Sequence, residues 1–383
     1  MIATADRLHS VEEYYFSKKL REVRSLAAAG KPIINMGIGS PDLPPPPAVV
    51  SAIQQASGEP NANQYQSYQG LPALREAMAT FYKVQFQVQL NPQSEVLPLM
   101  GSKEGIMHIS MAFLNPGDEV LIPNPGYPTY SAVANLVQAT PRAYTLQEEL
   151  NWFPNLEKLE KQDLSRVKLM WINYPNMPTG AVAQKQQLIK LVAFAKKHQI
   201  LLVNDNPYSF VLNENPTSIF AIEGANEVCL ELNSLSKTFN MAGWRVGMLV
   251  GNTGLIDAVL KVKSNMDSGM YYGIQKGAIT ALQSADDWFS QLNAVYQSRR
   301  TLVYKLADIL ECSYDTNAVG MFVWAKLPEQ VKSAHAFIDE LLHIHDLFIT
   351  PGSIFGTAGD RYIRFSLCVT EADINEALKR VTK

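Results

Sequence analysis

Cysteine is scarce in this 383-residue chain: Cys229, Cys312 and Cys368 stand far apart, too few for a disulfide framework and too scattered for a four-ligand zinc site. Thiols used this way fit a reducing compartment, as small core residues. No run approaches the roughly 18 apolar residues of a membrane span, and the first ten residues carry charges where a secretory leader needs its apolar stretch. A cytoplasmic protein with no membrane partner is expected. Charge of one sign is also missing, with 33 Lys and Arg against 36 Asp and Glu for a net −3, so nothing electrostatic points to nucleic acid. Neither internal repeats nor low-complexity segments occur.

What the chain has is length and alternation. Its length exceeds what one small core organises, so two or three domains are expected. Across residues 11–29, Tyr15, Leu20, Val23 and Leu26 recur at near-helical spacing until Gly30-Lys31-Pro32 stops them, which predicts an N-terminal arm helix. A short strand at 32–36 then leads through Gly37-Ile38-Gly39-Ser40-Pro41-Asp42 to four prolines, Pro44 to Pro47. Consecutive prolines continue neither a helix nor a central strand, so a rigid connection and a domain boundary belong there.

From Ala48 onward, short apolar strands at 96–100, 119–122, 168–173, 200–203, 228–232 and 244–250 alternate with helices such as 103–114 and the Leu188, Leu191, Val192, Ala195 stripe. This predicts an α/β fold with a mostly parallel, doubly wound sheet covered on both faces. After Gly273 the pattern changes. A long helix at 286–310, strands at 321–325 and 362–367, and a closing helix capped by Thr370 predict a smaller α+β domain. The expected division is 1–47 as arm and part of the small domain, 48–280 as large domain and 281–383 as small domain.

In such a sheet, ligands gather beyond the carboxyl ends of the strands, and the chemistry-bearing residues fall there. Residues 234–247 read Ser-Leu-Ser-Lys-Thr-Phe-Asn-Met-Ala-Gly-Trp-Arg-Val-Gly. Lysine condenses with an aldehyde as a Schiff base, exchanges that bond for a substrate amine and then carries a proton as the free amine, which is the work Lys237 would do. Ser234 and Arg245 flank it as hydroxyl and guanidinium ligands for a phosphate. The segment looks like the cofactor lysine segment of a pyridoxal-phosphate enzyme. Gly101-Ser102-Lys103-Glu104-Gly105 opens a helix, where free N–H groups and the dipole favour a phosphate.

The proline-rich run 123–130 presents Tyr127 as a flat face for an aromatic ring. Asp205, at a strand end, would keep a pyridine nitrogen protonated, and Tyr208 would bond the ring oxygen. In 361–367, Ile363, Phe365 and Leu367 share one face while Arg364 lies on the other, away from the small domain's core. An arginine there clamps a substrate carboxylate bidentately or simply meets solvent. Taken singly, each cluster is also a common cap, turn or solvated loop. Their conjunction is what points to chemistry.

Together these residues resemble the class I/II aminotransferases, fold-type-I pyridoxal-phosphate enzymes similar to aspartate aminotransferase, over nearly the whole chain and in the family's order. The resemblance implies pyridoxal 5'-phosphate as cofactor and no metal. It implies that Tyr65, Ser102, Lys103, Tyr127, Asp205, Tyr208, Ser234, Lys237 and Arg245 hold the cofactor, that Lys237 is the catalytic base, and that Gly39 and Arg364 meet the substrate carboxylate. Tyr65 would reach a neighbouring subunit's phosphate, which implies a homodimer with shared sites. The implied activity is ping-pong transfer of an amino group between an amino acid and a 2-oxo acid.

Gly-Ser-Lys-Glu-Gly and the later Lys263-Ser264-Asn265-Met266-Asp267-Ser268-Gly269 look most like the branch that contains LL-diaminopimelate aminotransferase. One position departs from the family. Its usual Asn-Asn-Pro-Thr-Gly reads Asn176-Met177-Pro178-Thr179-Gly180 here, so Met177 lacks the side-chain donor that the family's second asparagine gives the ring oxygen. Dicarboxylate-specific relatives also bring a second arginine near the end of the large domain, whereas 265–272 holds Asp267 and no arginine. An acidic substrate side chain is therefore disfavoured. Two rivals share much of this reading: a carbon–sulfur β-lyase on the same fold, and a non-enzymatic cofactor-binding regulator, for which the chain supplies no DNA-binding extension.

Overall fold

The computed structural model describes residues 2–8 and 15–382. Seven strands form the central sheet: β1 (Val96–Leu99), β2 (Glu119–Asn124), β3 (Thr140–Thr145), β4 (Val167–Ile172), β5 (Leu201–Asp205), β6 (Cys229–Ser234) and β7 (Gly247–Gly251). Their order across the sheet is β1-β7-β6-β5-β4-β2-β3. Neighbours from β6 to β3 pair in parallel, while β7 runs antiparallel to both β6 and β1. Six strands therefore end at one edge of the sheet, and β7 begins there.

Alternation along the strands assigns the two faces. Leu169, Trp171, Val203, Leu230, Leu232 and Leu249 pack with Ile106 and Ile109 of helix Ser102–Phe113 and Val259 of helix Thr253–Lys263. Met170, Ile172 and Leu202 face the other way, onto Leu188, Leu191 and Val192 of helix Lys185–His198. Both faces are dry, so these strands read as continuous apolar runs. Strand β3, Thr-Pro-Arg-Ala-Tyr-Thr, has no counterpart in the sequence expectation: it is one of the two edge strands and the largely exposed one, and can carry proline and arginine for that reason.

The smaller α+β domain is built on a four-stranded antiparallel sheet ordered Thr350–Pro351, Tyr362–Ser366, Phe322–Lys326, Ser313–Tyr314. The long helix Ala285–Ile309 and the closing helix Glu371–Thr382 pack together against it, and the Thr370 hydroxyl accepts from the Asp373 amide at 3.1 Å as the expected cap. Helix Tyr15–Ala28 lies within the expected arm helix 11–29, of which residues 11–14 fall outside the described ones. Only Ile34–Asn35 of the expected strand 32–36 is extended, and it pairs in parallel with Leu347–Phe348. The Ser366 amide then donates to the Met36 carbonyl at 2.8 Å. The segment leading to Gly39 is thereby fixed beside Arg364. Among the described residues no helix is long and apolar enough to cross a membrane.

Candidate active site

The site forms where the strand ends meet. After β6, one helical turn, Leu235–Thr238, carries Lys237. Ser234 caps that turn: its hydroxyl accepts from the Ser236 amide at 3.1 Å and donates to the Val246 carbonyl at 3.3 Å. Ser236, not Ser234, meets Arg245, whose guanidinium donates to its hydroxyl at 3.5 Å. Arg245 precedes β7 with a left-handed backbone, φ 56°, and also donates to the Ala242 carbonyl at 2.9 Å. The expected strand 244–250 thus starts three residues late, because this turn aims Arg245 at the sheet edge.

Gly101 receives that arginine. Its φ is 89°, and a Cβ there would lie 2.1 Å from Arg245 Nη2, so glycine alone leaves room. Gly101 is the N-cap of helix Ser102–Phe113, whose first amides, those of Ser102 and Lys103, lack helical partners. Guanidinium, hydroxyl and free N–H groups converge on a cradle suited to a dianion. The Lys103 side chain is exposed.

Asp205 closes β5. Its Oδ2 accepts from the Tyr130 hydroxyl at 2.9 Å, whereas Oδ1 is buried with no hydrogen bond among the described residues. Burial pushes this carboxyl up to about 6, with the Tyr130 bond acting the other way. Such an oxygen calls for a cationic N–H, and a pyridinium nitrogen fits it. Tyr127 stands edge-on to Tyr130 (5.7 Å, 89°), which in turn stacks on Trp171 (5.0 Å, 6°). Tyr208 is buried edge-on to Phe322 at 5.8 Å, and burial raises its phenol well above the ordinary range.

Lys237 and Arg364 hang from one short segment. The Lys237 ammonium donates to the Gly39 carbonyl, and Arg364 Nη2 donates to the Gly37 carbonyl at 2.8 Å. A Cβ at Gly37 would come within 2.5 Å of the Phe348 ring and one at Gly39 within 2.4 Å of the Phe322 ring, so side chains are excluded there. Burial pushes the lysine down to about 8; the Cys368 thiol opposes this, and the Arg364 and Arg245 charges add to it. Near neutrality a useful fraction of the amine is thus free to take a proton.

Arg364 is not the surface residue that strand alternation allows, because both faces of Tyr362–Ser366 are covered. Its guanidinium lies between the Phe322 and Phe355 rings, 4.0 and 4.7 Å from their centroids, and Nη1 donates to Met177 Sδ at 3.4 Å. Met177 therefore meets Arg364. Asp267, the carboxylate in the stretch that lacks a second arginine, is paired: Lys263 Nζ bonds both its oxygens, at 2.7 and 3.0 Å, and both side chains are buried. Tyr65 is 89% exposed.

Residues 31–381 match the family Aminotransferase class I and II. The chain belongs to that family. It is 40% identical over 377 residues to an LL-diaminopimelate aminotransferase from Dehalococcoides mccartyi, covering 98% of this chain and 97% of that one. An LL-diaminopimelate aminotransferase from Aquifex aeolicus is 37% identical over 383 residues, covering 100% and 99%. Among solved structures, apo BacF from Bacillus subtilis superposes with a TM-score of 0.95 at 37% identity, covering 100% of this chain and 98% of that chain. This is a transaminase with the fold-type-I architecture.

Three residues of this aminotransferase site carry no role in the sequence reading. Tyr130 orients Asp205, Asn173 donates to the Asp205 carbonyl and accepts from the Met177 amide, and Ser236 meets Arg245. Tyr130, three residues after Tyr127 where a helix begins, is the one a spacing argument could have reached.

Proposed function

We propose that this aminotransferase works with pyridoxal 5'-phosphate, moving an amino group between an amino acid and a 2-oxo acid. The observation that carries the cofactor is the unsatisfied buried oxygen of Asp205 at the end of β5, with Lys237 following the end of the neighbouring strand β6. Ser236, Arg245 and the amides of Ser102 and Lys103 would hold the phosphate, with Ser234 shaping the turn. Tyr127 would lie against the ring, Asp205 would pair with its nitrogen, and Tyr208 would bond its oxygen. When bound, the cofactor supplies an aldehyde that links in turn to Lys237 and to the substrate amine, and a ring that draws off electrons.

The chain's own residues do the rest. Arg364 would turn the substrate carboxylate toward itself, with the Gly39 segment as the opposite wall. Lys237, whose lowered pKa leaves a fraction of its amine unprotonated near neutral pH, would take the proton from Cα and deliver it to the bound cofactor, and would run the same transfer in reverse in the second half of a ping-pong cycle. The surrounding Phe322 and Phe355 rings exclude water from the clamp and strengthen it. The relatives are named aminotransferases, so the β-lyase reading is not favoured.

The donor proposed first is LL-diaminopimelate, from the relatives' names and near-full coverage. A homodimer in the cytoplasm, with Tyr65 serving the neighbour's phosphate, and the division at residues 47 and 280 belong to the same proposal. The test is to incubate the purified protein with cofactor, 2-oxoglutarate and single amino acids, and to measure glutamate formed. LL-diaminopimelate as best donor supports the reading, and aspartate as best donor by a wide margin contradicts it.

A further inference from the structure

Behind the phosphate cradle four ionisable side chains meet away from the reacting groups. Glu104, in the first turn of helix Ser102–Phe113, reaches back so that Oε2 accepts from the Met100 amide at 2.5 Å. Its Oε1 lies 3.0 Å from His108 Nε2, one turn further along. His108 is 2% exposed, and its Nδ1 is buried with no hydrogen bond among the described residues. Asp267 brings a carboxylate oxygen into this group: one ligand atom each of Glu104, His108 and Asp267 lies within 4.8 Å of the others. The fully buried Lys263 already neutralises Asp267. A metal ion would have to displace that ammonium, so the cluster is better suited to fixing structure than to holding a cation.

Both ends of the cluster are tied to backbone that matters. At one end the Met100 amide immediately precedes Gly101, the N-cap that accommodates Arg245. At the other, Asp267 Oδ1 accepts from the Gly269 amide at 2.7 Å. Gly269 has φ 86°, and a Cβ on it would lie 2.4 Å from the Gln66 carbonyl, so the 267–269 turn presses on the loop that carries Tyr65. The side chains follow one another in a row from Lys263 through Asp267 and His108 to Glu104, and removing Asp267 leaves the fully buried Lys263 ammonium unpaired.

We infer that Glu104, His108, Asp267 and Lys263 form a buried relay that positions the phosphate cradle and couples it to the Tyr65 loop. These are positioning residues: none is among the groups proposed to touch cofactor or substrate. The inference rests on the cofactor reading above. It requires their loss to be felt through the phosphate and not through the ring.

The test compares His108→Gln and Asp267→Asn with the wild type, titrating each cofactor-free protein with pyridoxal 5'-phosphate and separately with pyridoxal, which lacks the phosphate. The relay requires at least a tenfold loss of affinity for the phosphorylated ligand with less than a twofold change for pyridoxal. In the double variant the two losses should combine to clearly less than their product, because both act through one row. Equal losses for both ligands would show general loosening and overturn the inference, as would unchanged affinity for both. Retained pyridoxal binding shows that a variant has folded, and Glu104→Gln serves as the alternative should either fail. A wild type that binds neither ligand would overturn the cofactor reading and the relay with it, an outcome distinct from a wild type that binds while the variants bind equally well.

Discussion

Asp205 concentrates the chemistry that can be argued from single residues. Burial pushes its carboxyl up to about 6, against ~3.9 for an unfolded aspartate, so the folded state holds that proton more tightly. Stability from this group is present below pH ~4 and is lost as pH rises through about 6. An asparagine side chain does not titrate, so the stability of Asp205→Asn relative to wild type should rise by roughly 2–3 kcal/mol between pH 4 and pH 7.5. Unfolding curves of both apoproteins across that range check this, and a constant difference would show that Asp205 is not held up by burial. Met177 gives a second case. Its thioether is a weak acceptor for Arg364, so Met177→Asn, which adds an amide donor beside the clamp, should lower KM for the amino donor about tenfold. An unchanged KM would separate this position from the carboxylate. Lys237, Asp205 and Arg245 were legible in the sequence because each sits at a fixed offset from a readable strand end. Tyr130, Asn173 and Ser236 were not, because their roles depend on which neighbour the fold brings within reach.

At the scale of elements, the centre of the sheet is held by one carboxylate. Glu231 in β6 is fully buried and accepts from Tyr82 Oη (3.0 Å), Asn204 Nδ2 (2.8 Å), Ser218 Oγ (2.7 Å) and the Ile219 amide (3.0 Å). Those donors come from helix Pro72–Phe86, from β5 one residue before Asp205, and from the turn entering Ile219–Ala221. Burial raises the glutamate's pKa while its donors lower it. Glu231→Ala orphans all of them and should cost about 3–5 kcal/mol, read as a drop in the urea midpoint of the apoprotein. Glu231→Gln, which keeps part of the network, should lose clearly less, and equal losses would mean that packing and not hydrogen bonding holds this junction. Strands buried on both faces announce themselves as apolar runs, so β1, β2, β4, β5 and β6 are found within a few residues of their expected positions. Edge strand β3 lacks that signal, and the turn at Arg245 is hidden because its left-handed backbone is carried by an arginine instead of a glycine.

For the whole molecule, the exposed tyrosine is the informative feature. Tyr65 at 89% and Met266 at 57% exposure are large side chains held out by two loops that touch through Gly269. If a second copy covers them, Tyr65→Phe should raise the cofactor dissociation constant about tenfold, the value of one hydrogen bond to a charged acceptor, and cofactor retention should fall on dilution. Sedimentation showing a fully loaded, fully active monomer at nanomolar concentration would contradict the shared site. The α/β reading was available from alternation alone, whereas the path of the N-terminal segment was not. Its two-residue pairing with Leu347–Phe348 is fixed by a partner more than 300 positions away, and the boundary expected at 280 falls inside helix Tyr272–Gln283, which packs on helices Pro47–Ser57 and Pro72–Phe86. The central claim is that this cluster serves a cofactor linked through one lysine. The direct measurement is to load the protein with pyridoxal 5'-phosphate, reduce it with borohydride and map the labelled peptide by mass. The account requires the label on Lys237, abolished by Lys237→Ala, and a label on Lys103, Lys261 or Lys263 instead would contradict it.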